Sequence, residues 1–251
     1  KKLSESPAAL VLDVKFGSGA FMKTAAEAAQ LAESLVRTGT SMHVRTTALL
    51  TDMNQPLGAM CGNALEVQEA VQVMLGHGPA DVRRLSVQLA AQVLVDSAAY
   101  ADPVAAMARC ERLLESGAVY DRFLRMVSAQ GGDHRLPLQF APVTELTAAR
   151  DGFVQQIQAE QLGYAVIAMG GGRQRAADVI DHSVGLEMLV RIGDRVTAGQ
   201  PLVRLYCHDP QAVGQQVLAS LVLSESPVLE PLPLIHSRLT MSDHQFVQQA
   251  G

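Results

Sequence analysis

Residues 11–22, with the sequence VLDVKFGSGAFM, decide how the first part of the chain folds. The apolar run over residues 8–15 has the length and composition of a strand that is buried on both faces. Gly17 and Gly19 favour a tight turn after this strand, and a helical pattern begins at Thr24. Proteins use the same order of strand, glycine-rich turn and helix to hold a phosphate or a nucleotide. The stretch therefore predicts a strand–helix connection and raises the question of an anion site.

The glycine-rich turn lacks the full signature of a nucleotide-binding loop. Position 22 is Met where the dinucleotide fingerprint has its third glycine, and the chain contains no P-loop sequence. A second glycine cluster at residues 170–172 precedes Arg173, but no strand–loop–helix pattern surrounds it. Both patterns favour an ordinary turn, with Arg173 in surface ion pairs with Asp178 and Asp181.

The composition is that of a soluble globular protein. The chain has 251 residues, of which 48% are hydrophobic and 18% charged, which is enough for one large domain or two ordinary ones. A net charge of -5 without a basic stripe argues against a nucleic-acid partner, and no apolar run reaches the length of a membrane span. The three cysteines lie far apart without CxxC spacing, which indicates a reducing compartment, so we expect a cytoplasmic protein. The histidines lack HxH or HxxxH spacing, and a G-x-S-x-G elbow is absent.

The hydrophobic periodicity of the first part of the chain predicts a βαβ unit. Helical spacing runs over residues 24–37, Thr24 and Glu27 have the spacing of a capping box, and Gly39 is expected to end the helix. Residues 44–50 have the composition of a second strand. A strand, a helix and a strand with short connections predict a parallel sheet.

The rest of the chain is predicted to form helices and then a smaller α+β domain. Helical patterns cover residues 63–75, 81–99, 103–116 and 119–129. Later strands are predicted around the Asp151-Gly152 turn and over residues 184–206, and later helices over residues 158–168 and 211–223. We predict a first domain over residues 1–136, a linker over 137–142, a second domain over 143–240 and a ragged tail over 241–251.

Residues 193–205, GDRVTAGQPLVRL, resemble the hammerhead of lipoyl- and biotinyl-type domains. Those domains carry their cofactor on a lysine, and residues 150–211 contain no lysine, which excludes a carrier function. The predicted fold class is therefore α/β, with a partial parallel sheet and flanking helices. A smaller α+β C-terminal domain with a lipoyl-hammerhead-like strand pattern follows it.

Several linked motifs resemble the thymidine and pyrimidine-nucleoside phosphorylase family. They are KKL at residues 1–3, LVLDVKFGSGAFM at 10–22, LLTDMNQPLGAMCGNALEVQEAV at 49–71, AMGGGRQRAADVIDHSVG at 168–185 and GDRVTAGQPL at 193–202. The resemblance covers residues 1–223 and is closest to the bacterial thymidine phosphorylases. It implies reversible phosphorolysis of thymidine or deoxyuridine to the free base and 2-deoxyribose 1-phosphate, with phosphate as co-substrate and no redox cofactor. The intact protein is expected to be a homodimer.

The resemblance also implies roles for individual residues. In the family a lysine at the start of the KKL motif helps to bind the base, and this position is Lys1. The GAFM segment lies beside the base, so Phe21 is expected to form an apolar wall of its pocket. Without the family, Lys1 would be a solvated terminal lysine and Phe21 a core residue. Asp13 and Lys15, at the end of the first strand, are expected to brace the site.

A monovalent cation site is also implied. Some members of the family bind a cation such as K⁺, and the matching ligands are the carbonyls of Leu57 and Met60 and the carboxylate of Glu69. Oxygen ligands suit a hard cation. An ordinary helix N-terminus explains the same residues equally well.

The family's phosphate loop and catalytic histidine would lie upstream of Lys1. We therefore expect this chain to be a C-terminal part that holds no catalytic residue and is inactive alone. The first strand is then expected to leave one sheet edge exposed. The alternatives are a broader pyrimidine-nucleoside phosphorylase that also uses uridine, and a non-catalytic binding module that keeps the fold.

Overall fold

The computed structural model describes residues 2–228, 232–242 and 245–250, which form two compact units. The first unit consists of residues 1–53, 80–119 and 232–251, and the second of residues 54–79 and 120–231. Units defined by compactness need not coincide with evolutionary domains, so the predicted domain boundaries stay predictions. No helix of the described residues is long and apolar enough to cross a membrane.

The strands are β1 (Ala9–Phe16), β2 (Arg45–Asp52), β3 (Met60–Cys61), β4 (Val143–Thr147), β5 (Gly152–Ile157), β6 (Gly185–Met188), β7 (Arg195–Val196), β8 (Pro201–Tyr206), β9 (Leu221–Ser224), β10 (Ile235–Ser242) and β11 (Gln245–Ala250). The α-helices are α1 (Ala25–Ser41), α2 (Asn63–Met74), α3 (Ala80–Asp96), α4 (Pro103–Glu115), α5 (Ala118–Ala129), α6 (Ala159–Val166) and α7 (Pro210–Ala219). A short 3₁₀ turn covers Lys2–Glu5 and a π-helical turn covers Ile167–Gly171.

The predicted βαβ unit is confirmed. Strands β1 and β2 pair in parallel from Ala9 opposite Arg45 to Phe16 opposite Asp52, and α1 connects them. Successive strand residues point to opposite faces. One face packs against α1 through a buried apolar cluster that includes Phe16 and Leu50, and α3 packs against β1 and β2. The sheet order is β1-β2-β10-β11, so within the described residues β1 lies at a sheet edge, as expected.

Gly39 does not end α1 as predicted. The helix continues to Ser41, because Gly39 is buried where the helix meets β2. A Cβ on Gly39 would lie 2.0 Å from Thr46 Oγ1, so the glycine allows close packing of helix on strand. The turn after the helix instead contains His43, which has a positive φ of 61°.

The end of the chain also differs from the prediction. Residues 241–251 were expected to be a ragged tail, but most of them belong to β10 and β11 of the first sheet. Strand β10 pairs antiparallel with β2, and Leu239 is fully buried in the cluster beneath α1. The predicted helix over 211–223 ends at Ala219, and strand β9 begins at Leu221.

The second unit contains two antiparallel sheets around one core. Their strand orders are β3-β6-β8-β4 and β7-β5-β9. Side chains from both sheets and from α6 and α7 form a shared apolar cluster, in which Leu162, Leu186, Leu205 and Val217 are fully buried. The mixed α/β architecture that the sequence predicted is therefore present in both units.

Strands β3 and β6 approach each other so closely that only glycine fits at two positions. A Cβ on Gly185 would lie 2.3 Å from the carbonyl oxygen of Cys61, and a Cβ on Gly62 would lie 2.5 Å from that of Val184. By contrast, a Cβ on Gly163 in α6 would meet no atom within 4 Å.

We predict opposite effects for alanine at two of these glycines. Gly185→Ala must push backbone apart and should lower the free energy of unfolding by roughly 1–3 kcal/mol. The matched variant Gly163→Ala should raise it by about 0.5–1 kcal/mol, because alanine loses less conformational entropy in a helix. Urea unfolding monitored by circular dichroism measures both. Equal stability of Gly185→Ala and the parent chain would contradict the close approach of β3 and β6.

Candidate functional site

Asp13, Lys15 and Thr51 form a hydrogen-bonded polar cluster on the sheet of the first unit. Lys15 Nζ lies 2.8 Å from Asp13 Oδ2 and donates to Thr51 Oγ1 at 3.2 Å, while Thr51 Oγ1 donates to Asp13 Oδ1. The parallel register places Lys15 beside Thr51, and the two-residue period of β1 puts Asp13 on the same face. These residues lie near the carboxyl ends of parallel strands, where ligands bind in α/β sheets.

Sequence reasoning identified two members of this cluster and missed the third. Asp13 and Lys15 were expected to brace the site because they lie at the end of the first strand. Thr51 is fully buried and looks like an ordinary strand residue. Only the register of β1 against β2 reveals that its hydroxyl bridges the two charges.

The glycine-rich turn after β1 is closed by its own backbone. Gly17 N–H donates to the Met22 carbonyl at 3.0 Å, Gly19 N–H to the Met53 carbonyl at 2.9 Å, and Ala20 N–H to the Gly17 carbonyl at 3.1 Å. A phosphate cradle needs such N–H groups to point at the ligand. Because these three donors are already satisfied, the ordinary turn is the better description of this stretch.

The N-terminus of α1 is closed as well. The predicted capping box is present, since Glu27 N–H donates to Thr24 Oγ1 at 3.2 Å and Thr24 N–H donates to Glu27 Oε2 at 3.0 Å. Lys23 N–H donates to the same oxygen at 2.9 Å. These backbone hydrogen bonds, that of Thr24 first, hold the pKa of the Glu27 carboxyl below its usual value. The resulting negative charge occupies the position where a helix would attract an anion.

Phe21 projects from the closed turn into solvent. Its exposed fraction is 93%, so the alternative that Phe21 is a core residue is wrong. The ring lines a surface depression together with Met22, Lys23 and Leu31. Its predicted contact with a pyrimidine base stays a prediction. Lys1, the other predicted base-binding residue, lies outside the described residues.

Residues 55–60, which include the two carbonyls of the predicted cation site, are hydrogen-bonded to Arg191 and Ile192. Arg191 Nη1 donates to the carbonyls of Pro56 at 2.8 Å and Gly58 at 2.6 Å. The amide N–H of Ile192 donates to Gln55 Oε1 at 3.0 Å. Sequence reasoning missed Arg191, because more than a hundred residues separate it from the segment and no local pattern connects them.

Glu69 fixes the same segment from α2. Its side chain is 8% exposed, and Oε1 accepts the amide N–H groups of Ala59 at 2.7 Å and Met60 at 3.2 Å. A carboxylate that holds two N–H donors stabilises the segment whether or not a cation binds. The described residues contain no group of three or more His, Cys, Asp or Glu side chains that could hold a metal ion. The predicted cation site combines one carboxylate, that of Glu69, with the backbone carbonyls of Leu57 and Met60. It is therefore not a group of this type, and it stays a prediction.

The second glycine cluster also belongs to a turn. Asp178 Oδ2 accepts the N–H groups of Gln174 at 3.1 Å and Arg175 at 2.8 Å, and Asp181 N–H donates to the Gly170 carbonyl at 2.9 Å. The hydrogen bonds that Asp181 accepts from Ser183 lower the pKa of its carboxyl. No ion pair joins Arg173 to either aspartate in the described part of the chain, so the expected surface pairs are not found.

Cys61 and Cys110 are poor candidates for a nucleophile. Burial raises the pKa of the Cys61 thiol to about 12, with further contributions from the charges of Glu66 and Glu69. Burial and Glu111 also raise the pKa of Cys110. A cysteine attacks as a thiolate, and these two thiols stay protonated at neutral pH.

Two family models match the chain. The a/b domain of a glycosyl transferase family matches residues 1–120, and the C-terminal domain of pyrimidine nucleoside phosphorylase matches residues 153–221. A thymidine phosphorylase of Burkholderia lata is 44% identical over 227 residues, which cover 86% of this chain and 51% of that protein. A thymidine phosphorylase of Mycobacterium tuberculosis is 42% identical over 216 residues, which cover 85% of this chain and 49% of that protein. The chain thus spans about half the length of the curated relatives it matches.

We predict that Glu69→Ala lowers the free energy of unfolding by about 1–3 kcal/mol, because two partly buried N–H groups lose a charged acceptor. Glu69→Gln keeps an acceptor oxygen and should lose less. The control Val67→Ala changes an exposed residue of the same helix and should stay within about 0.5 kcal/mol of the parent. Chemical denaturation of the three variants measures the differences. A Glu69→Ala variant as stable as Val67→Ala would show that this carboxylate does not hold the segment.

Proposed function

The chain belongs to the thymidine and pyrimidine-nucleoside phosphorylase family, and on that premise we propose that it is the C-terminal part of a thymidine phosphorylase. The enzyme would be a pentosyltransferase that converts thymidine or deoxyuridine and phosphate into the base and 2-deoxyribose 1-phosphate. The observation that carries the proposal is the identity of 42–44% to thymidine phosphorylases over most of this chain.

This reaction makes three physical demands on the enzyme. Phosphate must be held close to C1′, the negative charge that develops on the leaving pyrimidine must be stabilised, and water must be excluded. An ammonium group at Lys1, near a base carbonyl oxygen, would act on the developing charge and so favour the transition state over the substrate. The exposed ring of Phe21 would supply an apolar wall for the base.

The polar cluster of Asp13, Lys15 and Thr51 would position the turn that carries Phe21 and would take no part in the reaction. It joins the carboxyl ends of β1 and β2, and the turn that carries Phe21 begins directly after β1. The Gly19–Met53 hydrogen bond ties that turn to the end of β2. A rigid support of this kind is what a base-binding residue on a loop requires.

This chain alone would be inactive. Phosphate needs a cradle of donors, and the N–H groups of Gly17, Gly19 and Ala20 already donate to the carbonyls of Met22, Met53 and Gly17. The carboxylate of Glu27 occupies the start of α1. The phosphate loop and the catalytic histidine would therefore be supplied by the part of the protein that the longer relatives have in addition.

The remaining expectations belong to the same proposal. The protein would be a cytoplasmic homodimer that uses no redox cofactor and no nucleic-acid or membrane partner. Strands β6 and β8 flank the turns of residues 193–200 and pair antiparallel, which supports a lipoyl-hammerhead-like strand pattern in the second unit. Potassium would bind to the carbonyls of Leu57 and Met60 and to the carboxylate of Glu69. We therefore expect the protein to unfold at a higher temperature in potassium chloride than in choline chloride. An equal unfolding temperature in the two salts would count against the site.

Release of thymine from thymidine by the intact protein tests the proposed activity. We expect release that requires phosphate and that exceeds the release of uracil from uridine. Equal use of uridine would favour the broader pyrimidine-nucleoside phosphorylase. No release of either base would favour a binding module that keeps the fold.

We predict that Phe21→Ala in the intact protein lowers kcat/KM for thymidine about tenfold, because the base loses an apolar contact of the size of an aromatic ring. The matched control is Val179→Ala, since Val179 is also 93% exposed. This control should keep the parent kcat/KM, and neither variant should unfold at a lower temperature. Parent kinetics for Phe21→Ala would remove Phe21 from the base pocket.

A further inference from the structure

The first unit contains a cavity of about 220 Å³. The polar cluster of Asp13, Lys15 and Thr51 does not line it. The cavity lies between α3, the start of α4 and strands β2, β10 and β11. Its polar wall comprises Arg84, Gln88 and Gln92 from α3 and Arg238 and Gln249 from the strands. The spacing of four residues places the three α3 side chains on one face of that helix. Two guanidinium groups and three carboxamides therefore face one small space.

Neutral groups orient the guanidinium of Arg238. Its Nη1 donates to Gln92 Oε1 at 3.1 Å, and its Nη2 donates to Oε1 of Gln249, the residue opposite it in β11. No carboxylate forms an ion pair with Arg238 within the described residues. An arginine keeps its charge at every physiological pH. The cavity therefore contains a fixed positive charge that amide oxygens position without neutralising it.

Asp96 and Asp102 are two acidic groups close to this cavity in sequence. Asp96 is 8% exposed, and its Oδ1 accepts from Gln92 Nε2 at 2.9 Å, which turns the amide oxygen of Gln92 towards Arg238. The oxygens of Asp102 accept the N–H groups of Val104 and Ala105 at 3.0 and 3.1 Å and thus cap α4. Neither carboxylate lines the cavity.

Arg84 supplies the second charge at the exposed side of the wall. Its neighbour Arg83 is paired with Glu111 and Glu115 of α4, whereas Arg84 is in no ion pair in the part of the chain that the structure describes. The two arginines therefore differ in role: Arg83 joins two helices, and Arg84 is available to a ligand.

The opposite wall is apolar. Leu49 and Ile235 are buried strand residues, and Val95 and Met107 extend this wall from α3 and α4. A phosphate group here would place some of its oxygens against hydrocarbon, where they lose hydration without gaining a donor. A planar carboxylate can instead receive two parallel N–H donors from a guanidinium and leave its own hydrocarbon part on the apolar wall.

We propose that this cavity binds a small organic carboxylate. The carboxylate would contact Arg84 and Arg238, and the apolar body of the ligand would lie on Leu49, Met107 and Ile235. Phe21 and the polar cluster do not line this cavity, and the proposal does not depend on the proposed function.

Isothermal titration of the purified 251-residue chain with benzoate tests the proposal. Benzamide, which has the same shape without the charge, and inorganic phosphate, which has charge without an apolar body, are the matched probes. We expect saturable binding of one benzoate, with benzamide and phosphate each at least about tenfold weaker. No saturable binding of benzoate, or equal binding of benzamide, would overturn the proposal.

Two variants locate the binding. Arg84→Gln removes an exposed charge without disturbing a described hydrogen bond, and it should weaken benzoate binding about tenfold. Arg112→Gln makes the same charge change at an exposed residue of α4 outside the cavity, and it should leave binding unchanged. Arg238→Gln should abolish binding, with circular dichroism as the check that it folds. Equal weakening by Arg84→Gln and Arg112→Gln would mean that benzoate responds only to net charge, which contradicts a site in this cavity.

Discussion

The parallel register of β1 against β2 is the constraint on which the first unit depends. In this register Phe16 and Leu50 point towards α1. Asp13, Lys15 and Thr51 lie together on the opposite face of the sheet. A slip of one residue would move the charges of Asp13 and Lys15 into an apolar cluster, where an ion pair is costly to bury. The apolar packing and the polar cluster therefore specify the same register.

The two sites of this unit lie at different positions along the same face of β2, since Leu49 and Thr51 are two residues apart. The polar cluster lies near the carboxyl ends of β1 and β2, next to the turn that presents Phe21. Leu49 contributes to the apolar wall of the cavity beside α3, together with residues of β10. Backbone hydrogen bonds use the N–H groups of Gly17, Gly19 and Ala20 in this turn, so these three groups are not free to bind a phosphate.

Local patterns predicted local structure well. Hydrophobic periodicity predicted the two strands and the helix of the βαβ unit, and the spacing of Thr24 and Glu27 predicted the capping box. The family motif at residues 10–22 covers the first of these strands and the turn after it. Contacts between distant segments were not predictable in this way. Thr51 bridges two charges because of strand register, Arg191 holds carbonyls far away in sequence, and Gly39 packs against Thr46 inside a helix rather than ending it. The alternation of Ile235, Leu239 and Met241 was a readable strand signal that the neighbouring prolines obscured.

The activity that we propose for the intact protein is transfer of a deoxyribosyl group from a pyrimidine to phosphate. The most direct measurement is mass spectrometry of the sugar product after reaction of thymidine with ¹⁸O-labelled phosphate in ordinary water. We expect 2-deoxyribose 1-phosphate that retains all of the label, because a phosphate oxygen attacks C1′. Free deoxyribose without label would mean that water attacks instead, and the intact protein would then be a hydrolase rather than a phosphorylase.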